Sequence, residues 1–183
     1  LLVTSGLQGE GKTFFTANLA VSLALTGKKV VALSFDLRAP KLINALDINE
    51  SVGITDYLKN PKLNINDITI NHSTIENFDI IGSGPIVSNV GELMLNPRIE
   101  NLLVDLKSKY DYILIDTAPV GKIADAFALA PFIDATIYIL RRNYSSKTEI
   151  KILNDISKNL KLKNLMVVLN DTKAVSNYGY GKD

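Results

Sequence analysis

The sequence predicts a three-layer α/β fold, a mostly parallel central sheet with helices on both faces. Short aliphatic and β-branched runs recur along its 183 residues, and stretches with helical periodicity lie between them. The runs are continuously apolar rather than alternating, which requires burial on both faces. Strand and helix succeed one another from the first residue, the order that right-handed βαβ crossovers produce.

In chain order, Leu1 to Thr4 opens as a strand, and Lys12 to Thr26 follows with the spacing of a helix. Lys29 to Ser34 is the second strand and Ile54 to Lys59 a short helix. Asn60 to Asn77, polar and Asn-rich with Pro61, reads as an irregular connection with one short helical turn. Phe78 to Ile81 is a strand, Gly91 to Lys109 an amphipathic helix, Tyr112 to Ile115 a strand and Ala124 to Ala130 a helix. Ala135 to Leu140, Ser146 to Leu160 and Leu165 to Leu169 complete the pattern as strand, helix and strand. Residues 1–175 are expected to form one domain. Residues 176–183, where Tyr alternates with Gly, are expected to form a flexible tail.

Composition excludes several classes of function. With 20 Lys and Arg against 19 Asp and Glu, the net charge is +1, too balanced for an electrostatic nucleic-acid footprint. Zero Cys removes disulfides, thiolate nucleophiles and thiolate metal sites, and His72 alone cannot build a histidine centre, so it receives no role. A metal held by oxygen ligands stays open. The absence of Cys fits a reducing, cytoplasmic setting, and no run reaches the roughly 18 apolar residues of a membrane span. A chain that starts at Leu1 on a strand reads as a segment of a longer polypeptide.

Gly6-Leu7-Gln8-Gly9-Glu10-Gly11-Lys12-Thr13 matches the P-loop pattern in full, between an apolar strand and a helix. Glycines let the backbone curl until successive N–H groups face one concavity, and the next helix offers its positive end to phosphate oxygens. Gly6, Gln8, Gly9, Glu10, Gly11, Lys12, Thr13 and Phe14 are therefore the candidate nucleotide-binding residues. Lys12 is expected to reach the β- and γ-phosphates of ATP, and Thr13 to ligate Mg²⁺. The buried run Tyr112-Ile113-Leu114-Ile115 ends in Asp116, a Walker B type acid. Because strand carboxyl ends face the ligand crevice of an open sheet, Asp116 and the loop are expected on one rim. The competing reading of Asp116 is a cap on the Asp-Thr-Ala-Pro turn. The fold expected on these grounds is that of a P-loop NTPase.

The P-loop, the Phe14 to Ala20 helix start, Asp36-Leu37-Arg38-Ala39-Pro40, Ile113 to Val120, Gly53 to Leu58 and the stretch from Gly82 to Leu93 together resemble the catalytic domain of bacterial tyrosine kinases (BY-kinases). The likeness spans nearly the whole chain. It implies an ATP-dependent autokinase whose C-terminal tyrosines, here Tyr178 and Tyr180, are phosphorylated by a neighbouring subunit of a homo-oligomeric ring. Lys12, Asp36, Arg38 and Asp116 would be the catalytic set, with Thr13, Asp36 and Asp116 around the metal. A membrane polysaccharide chain-length regulator, fused upstream or separate, would hold the domain at the inner face of the membrane and tie it to exopolysaccharide synthesis and export. Asn170 resembles an adenine-contacting residue of the wider superfamily, a turn Asn being the alternative. Arg141 and Arg142 follow a strand end and read as solvated charges in preference to phosphate ligands.

Two departures stand out. The family pattern places an acid where this chain has Ser34, and a Pro where it has Ala118. Losing a general base costs about 10²- to 10⁴-fold in rate, so a regulatory module that binds nucleotide with little turnover is an alternative. A partitioning or septum-site ATPase switch is a further one, weakened because Leu7 replaces a Lys of those relatives and because they usually lack the D-x-R-x-P run.

Overall fold

The structure, a computed structural model, describes residues 1–49, 52–121, 125–159 and 162–173. In chain order the strands are β1 (Leu2–Ser5), β2 (Val30–Phe35), β3 (Thr69–Asn71), β4 (Phe78–Ile81), β5 (Tyr112–Thr117), β6 (Thr136–Arg141) and β7 (Leu165–Asn170). The helices are α1 (Lys12–Ala24), α2 (Leu42–Ala45), α3 (Ile54–Lys59), α4 (Ile65–Ile68), α5 (Val90–Leu93), α6 (Arg98–Lys109), α7 (Asp125–Ala128) and α8 (Lys147–Lys158), with a 3₁₀ turn at Ala130–Phe132. One sheet holds the seven strands in the order β3-β4-β2-β5-β1-β6-β7. Every neighbouring pair is parallel except β3 with β4. The expected three-layer α/β architecture of a P-loop NTPase is therefore the one observed.

Alternation along β2 divides the core between the two faces. Val30 and Ala32 point to one face, where Ala17, Ala20 and Ala24 of α1 meet them with Leu42, Phe78 and Leu114. Alanines at that seam let α1 lie close to the strands. Val31, Leu33 and Phe35 point to the other face, against a larger apolar body that includes Leu102 and Leu106 of α6 and Leu153 and Ile156 of α8. β1 lies between β5 and β6 and is buried over its whole length. The chain leaves β1 towards β2 on one side and later returns to β6 on the other. The ends of the central strands at this reversal form the crevice where open α/β sheets bind ligands.

Several elements differ from expectation for local reasons. The helix expected over Gly91 to Lys109 is two helices, because Pro97 cannot donate an amide within a helix and the Asn96 side chain accepts from Arg98 N at 2.9 Å to start the second. The connection over Asn60 to Asn77 contains its helical turn, α4, capped by Asn64, whose side chain accepts from Asn66 N at 2.9 Å. It also contains β3, which the polar sequence hid. An antiparallel edge strand needs little apolar content, and Asn71 Nδ2 bonds Asp79 Oδ1 at 2.6 Å across the pair. Helix α2 was not anticipated. The helix expected from Ala124 shortens to Asp125–Ala128 before the 3₁₀ turn, Ala124 itself lying outside the described residues. Among the described residues no helix is long and apolar enough to cross a membrane.

Candidate nucleotide site

Strand register delivers the polar residues to one edge of the sheet. Val3 pairs with Asp116, and Asp116 with Ser34. In-register residues of neighbouring strands project to the same face, here the face that α1 covers. Ser5, two residues beyond Val3, and Asp36, two beyond Ser34, continue that row at the strand ends. The loop then turns through Gly9 and Gly11, whose φ values of 89° and 101° are the left-handed conformation that glycine adopts without strain. Gly11 also has no room for a side chain: a Cβ there would sit 2.2 Å from Asn170 Nδ2.

The row meets the start of α1. Thr13 Oγ1 donates to Asp116 Oδ2 at 2.7 Å, while Asp116 Oδ1 is buried with no hydrogen-bond partner among the described residues. Lys12 Nζ donates to Ser5 Oγ at 2.9 Å and to the Leu7 carbonyl at 3.4 Å. Burial raises the Asp116 carboxyl to about 6, opposed by the Thr13 hydrogen bond and the Lys12 charge. Burial also lowers Lys12 from its ordinary value, opposed first by Asp116 and then by Asp36 and Glu10. A cleft of about 180 Å³ opens at Lys12 and Thr13, lined also by Gln8, Gly9, Gly11 and Phe14, with Asp36 and Lys41 completing it. Larger hollows lie elsewhere on the surface and touch none of this row.

This geometry fits a magnesium ion beside a polyphosphate. An unpartnered buried carboxylate oxygen, a hydroxyl on the same acid and a second carboxylate are hard oxygen donors of the kind Mg²⁺ takes, with room left for water and phosphate. Thr13, Asp116 and Asp36 would hold it. When bound it would neutralise charge on the phosphates.

A second layer holds the loop in shape. Glu10, expected to bind nucleotide, is fully buried and turns its carboxylate inward, accepting from Leu7 N at 2.7 Å and from the Ser145 hydroxyl. Tyr144 OH donates to the Gln8 carbonyl at 2.9 Å, and Arg141 Nη1 to the Gly9 carbonyl at 3.2 Å. Asn170 uses both ends of its amide within the protein, donating to the Glu10 carbonyl at 3.0 Å and accepting from Asp171 N at 2.8 Å. It braces the loop and closes the turn into Asp171, the turn Asn that the sequence offered beside an adenine contact. Arg38 is paired with Asp125 at 2.9 Å, and Phe14 is two-thirds exposed. Asp36 accepts from Ala39 N at 3.1 Å, which closes the turn after β2. Tyr178 and Tyr180 lie outside the described residues.

Sequence reasoning missed Ser5, Lys41, Asp125, Tyr144 and Ser145. Ser5 ends β1, Lys41 and Asp125 lie in the connections that follow β2 and β5, and Tyr144 and Ser145 follow β6, so no local motif marks any of them. The brace makes a testable claim. Glu10→Ala would strand the Leu7 amide and the Ser145 hydroxyl, at about 1–3 kcal/mol. We expect a lower melting temperature and nucleotide affinity about tenfold weaker by titration, with Glu10→Gln restoring most of both.

Residues 5–171 match the AAA domain family. The chain is 31% identical to the tyrosine-protein kinase YwqD of Bacillus subtilis over 182 residues, covering 98% of this chain and 76% of that protein. The chain belongs to the bacterial tyrosine-protein kinases. The crystal structure of the chimerical protein CapA2B2 superimposes on this BY-kinase with a TM-score of 0.86 at 30% identity, over 93% of this chain and 75% of that one. The septum site-determining protein MinD of Pyrococcus horikoshii, complexed with Mg-ADP, follows with a TM-score of 0.75 at 27% identity, over 92% of this chain and 68% of that one. The P-loop ATPase fold is thus common to both groups, and the kinase resemblance is the stronger.

Proposed function

We propose that this BY-kinase binds Mg-ATP at the loop after β1 and transfers the γ-phosphate to tail tyrosines, Tyr178 and Tyr180, of a neighbouring copy in a ring. The observation that carries the reading is the Thr13–Asp116 pair at 2.7 Å with the free Oδ1 of Asp116 beside it. Backbone amides of the loop and Lys12 bind the phosphates and hold them in line. Asp36, which lines the same cleft, would take the phenol proton as the tyrosine oxygen bonds to phosphorus. Arg38 holds Asp125 and so steadies the loop after β2. A membrane polysaccharide chain-length regulator, on the same polypeptide or separate, is the proposed activator. It would place the kinase at the cytoplasmic face of the membrane, in exopolysaccharide synthesis and export, with no role for nucleic acid.

The test is to incubate the chain with Mg-ATP and map phosphotyrosine by mass spectrometry. Phosphate on Tyr178 or Tyr180 supports the proposal. A mixture of active donor and Lys12→Ala acceptor distinguishes transfer between copies from transfer within one. Bound nucleotide with no phosphotyrosine overturns it in favour of a regulatory module.

One observation gives that second reading its weight. Ser34 is fully buried in register with Asp116, and its hydroxyl has no hydrogen-bond partner among the described residues. Where the family pattern has an acid, this chain keeps a neutral group that cannot serve as a base at neutral pH. Phosphoryl transfer depends mainly on positioning and charge neutralisation, so a slow kinase is compatible with the substitution. Ser34→Asp is expected to raise the transfer rate by about tenfold or more. An unchanged rate in a pre-steady-state assay would show that the absent acid does not limit turnover.

A further inference from the structure

Lys41 lines the same cleft as Gly11, Lys12, Thr13 and Asp36, although it belongs to a different part of the chain, the loop from β2 into α2. Its ammonium has no hydrogen bond or ion pair with any described residue. The neighbouring arginines are committed, Arg38 to Asp125 and Arg141 to Asp171 and the Gly9 carbonyl. The loop that presents Lys41 is fixed. Asp36 closes it by accepting from Ala39 N, and Pro40 restricts φ immediately before the lysine. Lys41 also lies within Coulombic reach of the buried pair, since its charge lowers both Lys12 and Asp116. It is exposed, so packing does not account for its place.

We propose that Lys41 is a catalytic residue of the phosphoryl transfer, its ammonium contacting the γ-phosphate oxygens and stabilising the charge they carry in the transition state. The inference deepens the kinase reading and rests on it. In the step, the tyrosine oxygen forms a bond to the γ-phosphorus while the bond from that phosphorus to the β,γ-bridging oxygen breaks. The electron pair leaves with ADP, and the phenol proton passes to Asp36. Lys41 remains an ammonium throughout. In a loose transition state charge spreads over the equatorial oxygens, and a cation fixed beside them before reaction strengthens there without reorganising. Lys12, held at the base of the loop, covers one side of that charge. Lys41 supplies a cation from the opposing loop.

The test uses the full chain and compares Lys41→Ala and Lys41→Arg with the parent. For Lys41→Ala we expect single-turnover phosphotyrosine formation to fall about 10²-fold, with Mg-ADP affinity within about threefold of the parent and an unchanged melting temperature. Mg-ADP with aluminium fluoride imitates the planar phosphoryl group and binds more tightly than Mg-ADP alone when transition-state contacts are in place. Lys41→Ala should lose that increment, and Lys41→Arg should recover part of it. Equal aluminium fluoride increments in the parent and Lys41→Ala overturn the proposal, whether or not the parent transfers phosphate. So does an equal loss of Mg-ADP binding and rate, which would make Lys41 a ground-state ligand. A parent that transfers phosphate while Lys41→Ala does so at the same rate refutes Lys41 alone. A parent that binds no Mg-ADP refutes the nucleotide site and Lys41 with it.

Discussion

Lys12→Ala is expected to abolish ATP uptake, weakening binding by at least about 10²-fold, and to leave no detectable phosphotyrosine. The ammonium is the one cation inside the loop, and the pair it faces, Asp116 and Asp36, is acidic. Without it the phosphates lose the cation that the loop itself carries, and near two carboxylates that loss costs several kcal/mol in a site shielded from water. Folding should not suffer. Burial lowers the Lys12 pKa, so the folded chain holds that proton less tightly than the unfolded one, and the charge opposes folding at neutral pH. Removing the side chain should leave the melting temperature equal or higher. Isothermal titration with Mg-ATP beside a thermal melt separates the outcomes. Uptake equal to the parent's would mean that the loop is not a phosphate site.

Asp116→Asn is expected to reduce transfer by about 10³-fold while making the protein more stable. The Asn amide oxygen still accepts from Thr13, so the geometry survives. What disappears is the negative charge that the metal requires. Burial raises Asp116 from 3.8 to about 6, so the folded chain binds this proton more tightly than the unfolded chain does. The stabilisation this confers is complete below pH 3.8 and is lost as the pH rises through about 6. At pH 7.5 the ionised acid therefore costs up to about 3 kcal/mol, and Asn, which does not titrate, avoids that cost. Denaturant melts without magnesium or nucleotide should show the variant more stable at pH 7.5 and the gap closing towards pH 4. A gap of constant size would mean that Asp116 is not the group being neutralised.

Much of this architecture was legible in the amino-acid order. Continuous apolar runs announced β1, β2, β4, β5, β6 and β7, most of them buried between layers by side chains that pack on both faces; β7 departs from that expectation, an edge strand whose Met166, Val167 and Leu169 are exposed. β3 was illegible because an edge strand carries polar residues without penalty. α2 is one turn long, too short for periodicity to register. The break at Pro97 was readable from the proline alone, yet the amphipathic pattern on either side concealed it. Within the site, the P-loop and Asp116 stood out because their residue types follow from chemistry at fixed spacing. Glu10 illustrates the opposite case. Its place inside the motif suggested a nucleotide contact, whereas its partner Ser145 lies far along the chain, and only the fold brings the two together. Arg38, Lys41 and Asn170 share that difficulty: which charge or amide is spent on a neighbour is decided in three dimensions.

The collar of Arg141, Tyr144, Ser145 and Asn170 around the loop has a consequence for biosynthesis. The loop emerges from the ribosome among the first residues of this segment, while the groups that grip its carbonyls and its buried acid are made among the last. β1 likewise has to wait for β5 and β6 to flank it, a topology of distant pairings that forms slowly. A nascent chain halted ahead of Arg141 carries the full phosphate-binding motif with nothing to hold it in shape, so competence for ATP arrives only when synthesis of the domain is nearly finished.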